Sequence, residues 1–262
     1  MSKEKYYFSK SLEKGLKILA LFNRENPVMT QSGIAKTLEL NMTSTYRYIN
    51  TLVEMGFLEK DAKSKEIRPA IHCLLFCANL MRATDHQRLI RTVVDRIHGE
   101  YNITIDVAFA VDDTLVRIYH RGAEETLTYA LPDFSKNSLH NTALGKAWLS
   151  SLPAVVLTEK VHGMILAPKT DKTIVDKQQL LADIELARTR GYAMSKEEYL
   201  AGLITISAPL FDPQTRRGVG AVCFDFSILE HSAAEVEKKY GQMIQETAAK
   251  LSELLPPENN RN

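Results

Sequence analysis

Cysteine is scarce in this chain: Cys73, Cys77 and Cys223 are the only three in 262 residues, too few for a disulfide framework. Cys73 and Cys77 stand one helical turn apart beside His72, but no second ligand cluster accompanies them. They read as small apolar side chains on a packed helix face, and no metal is expected. Long hydrophobic runs are also absent, since no stretch approaches the roughly 18 apolar residues of a membrane-spanning helix. The polar start Met1-Ser2-Lys3-Glu4-Lys5 does not look like a signal peptide, so the expectation is a soluble, cytoplasmic protein with no membrane partner. Catalytic signatures are missing too. The chain has no Gly-x-Ser-x-Gly, no His-Glu-x-x-His, no Walker lysine loop and no Gly-x-Gly-x-x-Gly, and His140 near Ser138 does not make a triad. No catalytic residue and no cofactor is expected.

A net charge of +1 conceals a division along the chain. Residues 1–70 hold 12 Lys and Arg against 8 Asp and Glu, whereas the remainder holds 21 against 24. A basic front part can meet phosphate while an acidic rear part avoids non-specific association.

The basic part carries a helix-turn-helix pattern. Ile34, Ala35 and Leu38 share one helical face, Leu40 and Asn41 break the run, and Tyr46, Ile49, Leu52 and Val53 resume it before Gly56. Thr30 or Gln31 starts the second helix and Asn41 caps the third. An earlier helix over Ser11–Phe22 has Ser11 as its possible cap. Leu58 to Arg68 then reads as a two-stranded wing around Asp61-Ala62-Lys63-Ser64-Lys65.

From Pro69 the pattern is helical again, through Ile71, Leu74, Leu75, Ala78 and Met81, with apolar residues on more than one side. This connecting helix is expected to pack on a second subunit as well as its own. After a helix containing Leu89, Val93 and Ile97, Ile103 to Tyr119 alternates as a hairpin about Asp112-Asp113, with Thr126 to Leu131 as a third strand. Helices follow over 141–150 and 176–190, then strands over 192–195, 203–211 and 219–226. Ser227 with Glu230 and Ser232 with Glu235 are alternative capping boxes for a last helix, before a frayed tail at 256–262. The sheet should have about six strands, largely hairpin-connected.

Several of these segments, in order, resemble the IclR-type bacterial transcriptional regulators over about Ser11 to Leu255. Ser11-Leu12-Glu13-Lys14-Gly15-Leu16 is similar to the family's opening helix, and Ile34-Ala35 to Gly56-Phe57-Leu58 to its winged helix-turn-helix. Leu139-His140-Asn141-Thr142-Ala143-Leu144-Gly145-Lys146-Ala147 resembles its Leu-His-x-Thr-Ala-x-Gly-Lys-Ala segment. Gly191-Tyr192-Ala193 through Glu197-Glu198-Tyr199, Gly202-Leu203 and Ala208-Pro209-Leu210-Phe211-Asp212 resembles its second signature. The resemblance implies an α+β chain: a winged helix-turn-helix (1–68) joined by a helix (69–84) to a GAF-like effector domain (85–262) with a mainly antiparallel sheet. It also implies homodimers or tetramers on palindromic promoter DNA and a small organic effector, often an acid. Asn41-Met42 stands where the family often has Pro-Lys, Ile204-Thr205 where many members carry a pocket cysteine, and Cys223 and Asp225 where small serines line the later strand.

For double-stranded DNA the candidate contacts are Thr30, Gln31, Asn41, Thr43, Ser44, Thr45, Arg47 and Tyr48, with Lys63, Lys65 and Arg68 on the wing. Arg47 can fork onto guanine or pair with Glu54 or Glu59. Tyr46 can staple the helix into the core while Tyr48 faces out. For the effector, the helix starting at Asn141, Thr142, Ala143 and Leu144 offers backbone amides to a carboxylate. Tyr129, Ser195, Leu203, Thr205, Cys223 and Asp225 are the expected walls by resemblance. Asp225 faces the ligand or caps a helix near Ile228, and His140 orients the helix start or touches the ligand. The rival reading is an α/β ligand-binding or hydrolytic enzyme with an appended interaction domain.

Overall fold

The computed structural model describes residues 7–23, 26–82, 85–111, 114–124 and 138–255. They form two compact units, Met1–Thr84 and Asp85–Asn262. The turn at Asp112-Asp113, the third strand, Tyr129 and the tail at 256–262 lie outside the described residues.

The first unit contains α1 (Lys10–Ala20), β1 (Met29–Thr30), α2 (Gln31–Thr37), α3 (Met42–Glu54), β2 (Leu58–Lys60), β3 (Glu66–Pro69) and α4 (Ile71–Arg82). Ser9 caps α1, accepting from the Leu12 amide at 3.3 Å, so Ser11 lies inside the helix and is not its cap. Gly56 ends α3 at φ +75°, a left-handed turn that lets the Phe57 amide reach the Leu52 carbonyl at 2.8 Å. The wing is a three-stranded antiparallel sheet in the order β1-β3-β2, because the two-residue β1 pairs Met29 with Ile67. Ile18, Ile34, Ile49, Leu52, Leu58 and Ile67 form the core of this first unit. The connecting helix packs back on this unit: the Cys73 thiol donates to the Phe57 carbonyl at 3.1 Å, and Phe76 meets the Phe57 ring edge-on. Leu74, Leu75 and Leu80 on the same helix stay exposed.

The second unit contains α5 (Asp85–Tyr101), β4 (Thr104–Val111), β5 (Thr114–Arg121), α6 (Ala143–Ser150), α7 (Ala154–Gly163), α8 (Lys177–Arg190), β6 (Ala193–Lys196), β7 (Leu203–Phe211), β8 (Gly218–Ser227) and α9 (Ala233–Glu253). Among the described residues the sheet has five strands, β5-β4-β8-β7-β6, all antiparallel. One face packs on α5 and α9 through Val94, Val107, Ile206, Phe224, Tyr240 and Ile244. The other packs on α6 and α8 through Ala108, Leu144, Leu149, Ile184 and Ala221. Among the described residues three helices, not two, stand between the hairpin and β6: α7 was not foreseen, since only Leu157 and Val161 of its apolar residues are buried. The Ser232–Glu235 capping box starts α9, with the Ser232 amide 2.8 Å from Glu235 Oε2.

Two glycines permit close backbone approach. A Cβ on Gly220 would lie 2.1 Å from the Ala108 carbonyl oxygen across β4 and β8, and one on Gly145 would lie 2.2 Å from that of Leu139. The first fixes the tight pairing of the central strands, the second the turn that leads into α6.

Candidate DNA interface and effector cavity

Asn41 caps α3, its Oδ1 accepting from the Ser44 amide at 2.8 Å. The helical period then puts Thr43, Arg47 and Asn50 on the face opposite the core, with Tyr46 at one edge. Arg47 is exposed and makes no ion pair among the described residues. Two expectations are corrected here. Thr45 is wholly buried and donates its hydroxyl to the Asn41 carbonyl at 2.9 Å, so it cannot touch DNA. Tyr48 is half-buried against the core, whereas Tyr46 is 50% exposed, with Lys60 Nζ 5.7 Å from its ring centroid. The outward tyrosine is therefore Tyr46. Asn50 was missed, although its spacing from Arg47 places it on the same face.

Thr30 caps α2, accepting from the Gly33 amide at 3.2 Å, and Gln31 reaches the Met42 carbonyl at 3.5 Å. Both sit where α2 meets the start of α3. On the wing, Asp61 Oδ1 accepts from the Lys63 and Ser64 amides at 2.8 and 2.7 Å, and these bonds hold its carboxyl below the ordinary range. Lys63 and Lys65 are exposed on this turn. Arg68 departs from expectation. Its guanidinium is held by Glu59 Oε2 at 3.0 and 3.1 Å across β2 and β3, so a phosphate would have to compete with that pair. Replacing Asn41 by Ala should destabilise this unit by about 1 kcal/mol through the lost cap, read as a lower urea midpoint by circular dichroism.

In the second unit a polar patch interrupts an otherwise apolar sheet face. Ser195, Thr205 and Asp225 are aligned across β6, β7 and β8, and Asp106 stands opposite Cys223. The alternation of strand side chains turns all five toward α6. With Thr142, Ala143, Leu144, Tyr199 and Leu203 they enclose a cavity whose free volume, about 20 Å³, is room for one water. Thr205 Oγ1 donates to Asp225 Oδ1 at 2.6 Å, and the Cys223 thiol lies 3.9 Å from the same oxygen. Burial between Asp225 and Asp106 pushes that thiol well up.

Thr142 caps α6, accepting from the Gly145 amide at 3.1 Å and donating to the Ser138 carbonyl at 2.8 Å. The first amides of a helix have no acceptor within it, and Ala143 and Leu144 sit at the cavity wall. Asn141 is fully buried, and its side-chain atoms make no hydrogen bond among the described residues; its carbonyl lies 3.5 Å from Ser195 Oγ. His140 bonds the Ala167 carbonyl at 3.0 Å and so orients the helix start, with burial lowering its pKa. Asp225 faces the cavity; helix α9 is capped by Ser232, which removes the capping alternative. Sequence reasoning missed Asp106 and Tyr199. Asp106 is the lone charge in an apolar strand, and Tyr199 belongs to a quoted motif without an assigned role.

Behind α6 lies a buried ion cluster. Lys146 Nζ, wholly shielded, donates to Glu198 Oε1 at 2.6 Å and sits 2.8 Å from Asp183 Oδ2. Thr170 and Thr173 hydroxyls hold the carbonyls of Glu197 and Glu198, each at 2.6 Å. The turn bearing Tyr199 is thus tied to the helix that opens the cavity. Desolvation raises the Glu198 pKa against the pull of Lys146.

Comparison with known proteins agrees with both halves. The family model for the bacterial transcriptional regulator IclR C-terminal domain matches residues 79–253, and that for the IclR helix-turn-helix domain matches 11–62. The HTH-type transcriptional repressor AllR of Escherichia coli K12 is 27% identical over 257 residues, covering 94% of this chain and 90% of that protein. An IclR transcriptional regulator from Alicyclobacillus acidocaldarius has the same fold, with TM-score 0.76 at 19% identity over 95% of this chain and 99% of that one. An IclR homolog from Microbacterium hydrocarbonoxydans, solved with 4-hydroxybenzoate, gives TM-score 0.69 at 16% identity over 94% and 99%. No helix among the described residues is long and apolar enough to cross a membrane. Relatives of this kind are regulators rather than enzymes, and the chain belongs to the IclR family of bacterial transcriptional regulators.

Proposed function

We propose that this regulator acts as a homodimer, or a tetramer built from such dimers, gripping a palindromic promoter site whose half-sites lie about one helical turn, roughly 34 Å, apart. The observation that carries the reading is the capped helix α3, which exposes Thr43 and Arg47, with Asn50 half-buried on the same face, beside a wing with two exposed lysines. Arg47 reads a base edge or holds phosphate; Tyr46, Lys63 and Lys65 add backbone contacts. Thr30, Gln31, Asn41 and Ser44 fix the register of the helix start on the duplex. Its place of action is the cytoplasm, where promoter DNA lies. Self-association is supported by the apolar surface that α1 and α4 leave uncovered, with Leu12, Leu16 and Leu74 each more than half exposed.

The effector is a small organic molecule, acidic or aromatic, bound where Thr142, Ala143, Leu144, Ser195, Leu203, Thr205, Cys223 and Asp225 converge. Amides at the start of α6 suit a carboxylate and the threonine and serine hydroxyls suit a polar substituent. The related Microbacterium protein, solved with 4-hydroxybenzoate, illustrates the ligand class. Binding changes the relative populations of two arrangements of the dimer that differ in operator affinity.

The test is fluorescence anisotropy with the promoter beside its own gene. Binding should weaken steeply with salt, and Arg47→Ala should lower affinity about tenfold or more, for a contact worth about 1–3 kcal/mol, while the response to effector persists. Equal affinity of wild type and Arg47→Ala at every salt concentration would remove α3 as the reading helix.

A further inference from the structure

We propose that Tyr199, carried on the connection between β6 and β7, is the gate of the effector cavity, and that its displacement admits a ligand no bulkier than a single ring or a short acid. This deepens the reading of the cavity as the effector site and rests on it. The starting point is a mismatch of size. A free volume of about 20 Å³ holds one water, and even a carboxylate group is larger. Part of the wall must therefore yield before an effector enters.

Most of that wall is pinned. Asp106, Thr205, Cys223 and Asp225 stand on β4, β7 and β8, strands that are each paired on both sides. Ser195 is paired with Thr205, and Ala143 and Leu144 open a helix that is buried along its whole length. Tyr199 is the exception among the described wall residues. It lies on the connection from Glu197 to Gly202, half-buried, with Leu200 and Ala201 exposed beside it.

This connection has the construction of a hinged flap. Its first and last residues, Glu197 at φ +57° and Gly202 at φ +86°, have left-handed backbones. A glutamate holds that conformation only where its surroundings enforce it, and torsion at the two ends can swing the residues between them as a unit. The closed position is held by side chains from outside the sheet. Thr170 and Thr173 hydroxyls donate to the carbonyls of Glu197 and Glu198, each at 2.6 Å, and Lys146 Nζ donates to Glu198 Oε1 at 2.6 Å. Because Glu198 adjoins Tyr199, its bond to Lys146 on α6 is the latch that keeps the ring in the wall. Release costs Lys146 one partner only, since Asp183 Oδ2 stays 2.8 Å from the ammonium. The group that leaves is a phenol, so the space it vacates sets the bulk of the ligand.

Cys223 supplies a readout that needs no effector, for it is 2% exposed on the cavity wall, whereas Cys77 in the other unit is exposed. The full chain is treated with iodoacetamide at a fixed alkaline pH, and alkylation of each cysteine is followed by peptide mass, with Cys77 as the internal standard. For a gate open about 0.1–10% of the time, Tyr199→Ala should speed alkylation of Cys223 about tenfold to a thousandfold. Glu198→Gln should speed it about fivefold, as a charged hydrogen-bond partner becomes neutral. Tyr199→Phe keeps the ring and should stay near the wild-type rate.

A folded Tyr199→Ala protein whose Cys223 reacts no faster overturns the proposal, as does a rise that merely follows a lowered urea midpoint or that Tyr199→Phe reproduces. Should Tyr199→Ala fail to fold, Glu198→Gln decides the matter on the same terms. A metabolite that alters DNA binding without slowing Cys223 alkylation moves the effector elsewhere and leaves the gate standing. One that protects Cys223, while Tyr199→Ala changes nothing, keeps the effector site and removes the gate.

Discussion

Replacing Lys146 by Met should destabilise the carboxy-terminal unit by about 3–5 kcal/mol, the cost of leaving buried charge without its partner. The ammonium is wholly shielded and serves both Glu198 at 2.6 Å and Asp183 at 2.8 Å. Methionine fills much the same space, so the loss is electrostatic rather than a cavity. Its pH dependence has a definite sign. Burial already raises the Glu198 pKa, and Lys146 is the main opposing influence. Without it the folded-state pKa moves further up. A carboxyl raised in this way contributes stability below its unfolded pKa and loses it as pH rises through the folded value. The deficit of Lys146→Met should therefore widen from about pH 5 toward neutrality, and Glu198→Gln on the same background should recover part of it. The single tryptophan, Trp148, lies on α6 with Lys146, so its fluorescence during urea unfolding reports this domain alone. A loss below about 1 kcal/mol at neutral pH, in the range of an exposed ion pair, would show that the carboxylates reach water when the lysine is gone.

Thr205→Leu should abolish the effector response while leaving operator affinity unchanged. The cavity offers only about 20 Å³, and the larger side chain takes that space. It also removes the hydroxyl that donates to Asp225 at 2.6 Å, leaving a buried carboxylate with one donor fewer. Overpacking alone typically costs about 1–3 kcal/mol, so the melting temperature should fall as well. Thr205→Ser keeps the hydroxyl and should keep the response. Thermal-shift screening of small organic acids and aromatic metabolites would supply the ligand, since one that binds only folded protein raises the melting point. A Thr205→Leu protein that still responds would move the effector elsewhere.

Much of the DNA-binding unit is readable from spacing because its contacts are local. Asn41 and Gly56 bracket α3 as caps of opposite kinds, one by a side-chain acceptor and one by a left-handed backbone. The errors are of facing. Thr45 is polar by composition but satisfies its hydroxyl on the carbonyl four residues back, which lets it point inward. Tyr48 buries an apolar ring that its hydroxyl disguises. The wing gains a third strand from Met29–Thr30, too short to leave a periodic signal.

In the carboxy-terminal unit the convergence of Thr142, Ala143, Leu144, Ser195, Leu203, Thr205, Cys223 and Asp225 on one cavity was legible through the resemblance, whereas that of Asp106 was not. Its place on the cavity wall depends on pairing with Cys223, and no local pattern states which distant strand will lie beside β4. The helix α7 escaped for another reason. Val155 stays exposed while Leu157 and Val161 are buried, so its sequence lacks a clear stripe.

The strand order also governs how the protein emerges from the ribosome. Strand β8 lies at the middle of the sheet, between β4 and β7, yet among the described residues it is the last strand in chain order. Until it is synthesised the hairpin of β4 and β5 has no sheet to join, and the apolar face of α5 has little to cover it. The amino-terminal unit, complete by residue 84, has no such wait. During translation a completed amino-terminal unit is thus tethered to an unfinished carboxy-terminal one, and the interval between them is a window of aggregation risk set by elongation speed. Slowing elongation just before β8 should prolong that exposure, and hastening it should raise the soluble yield.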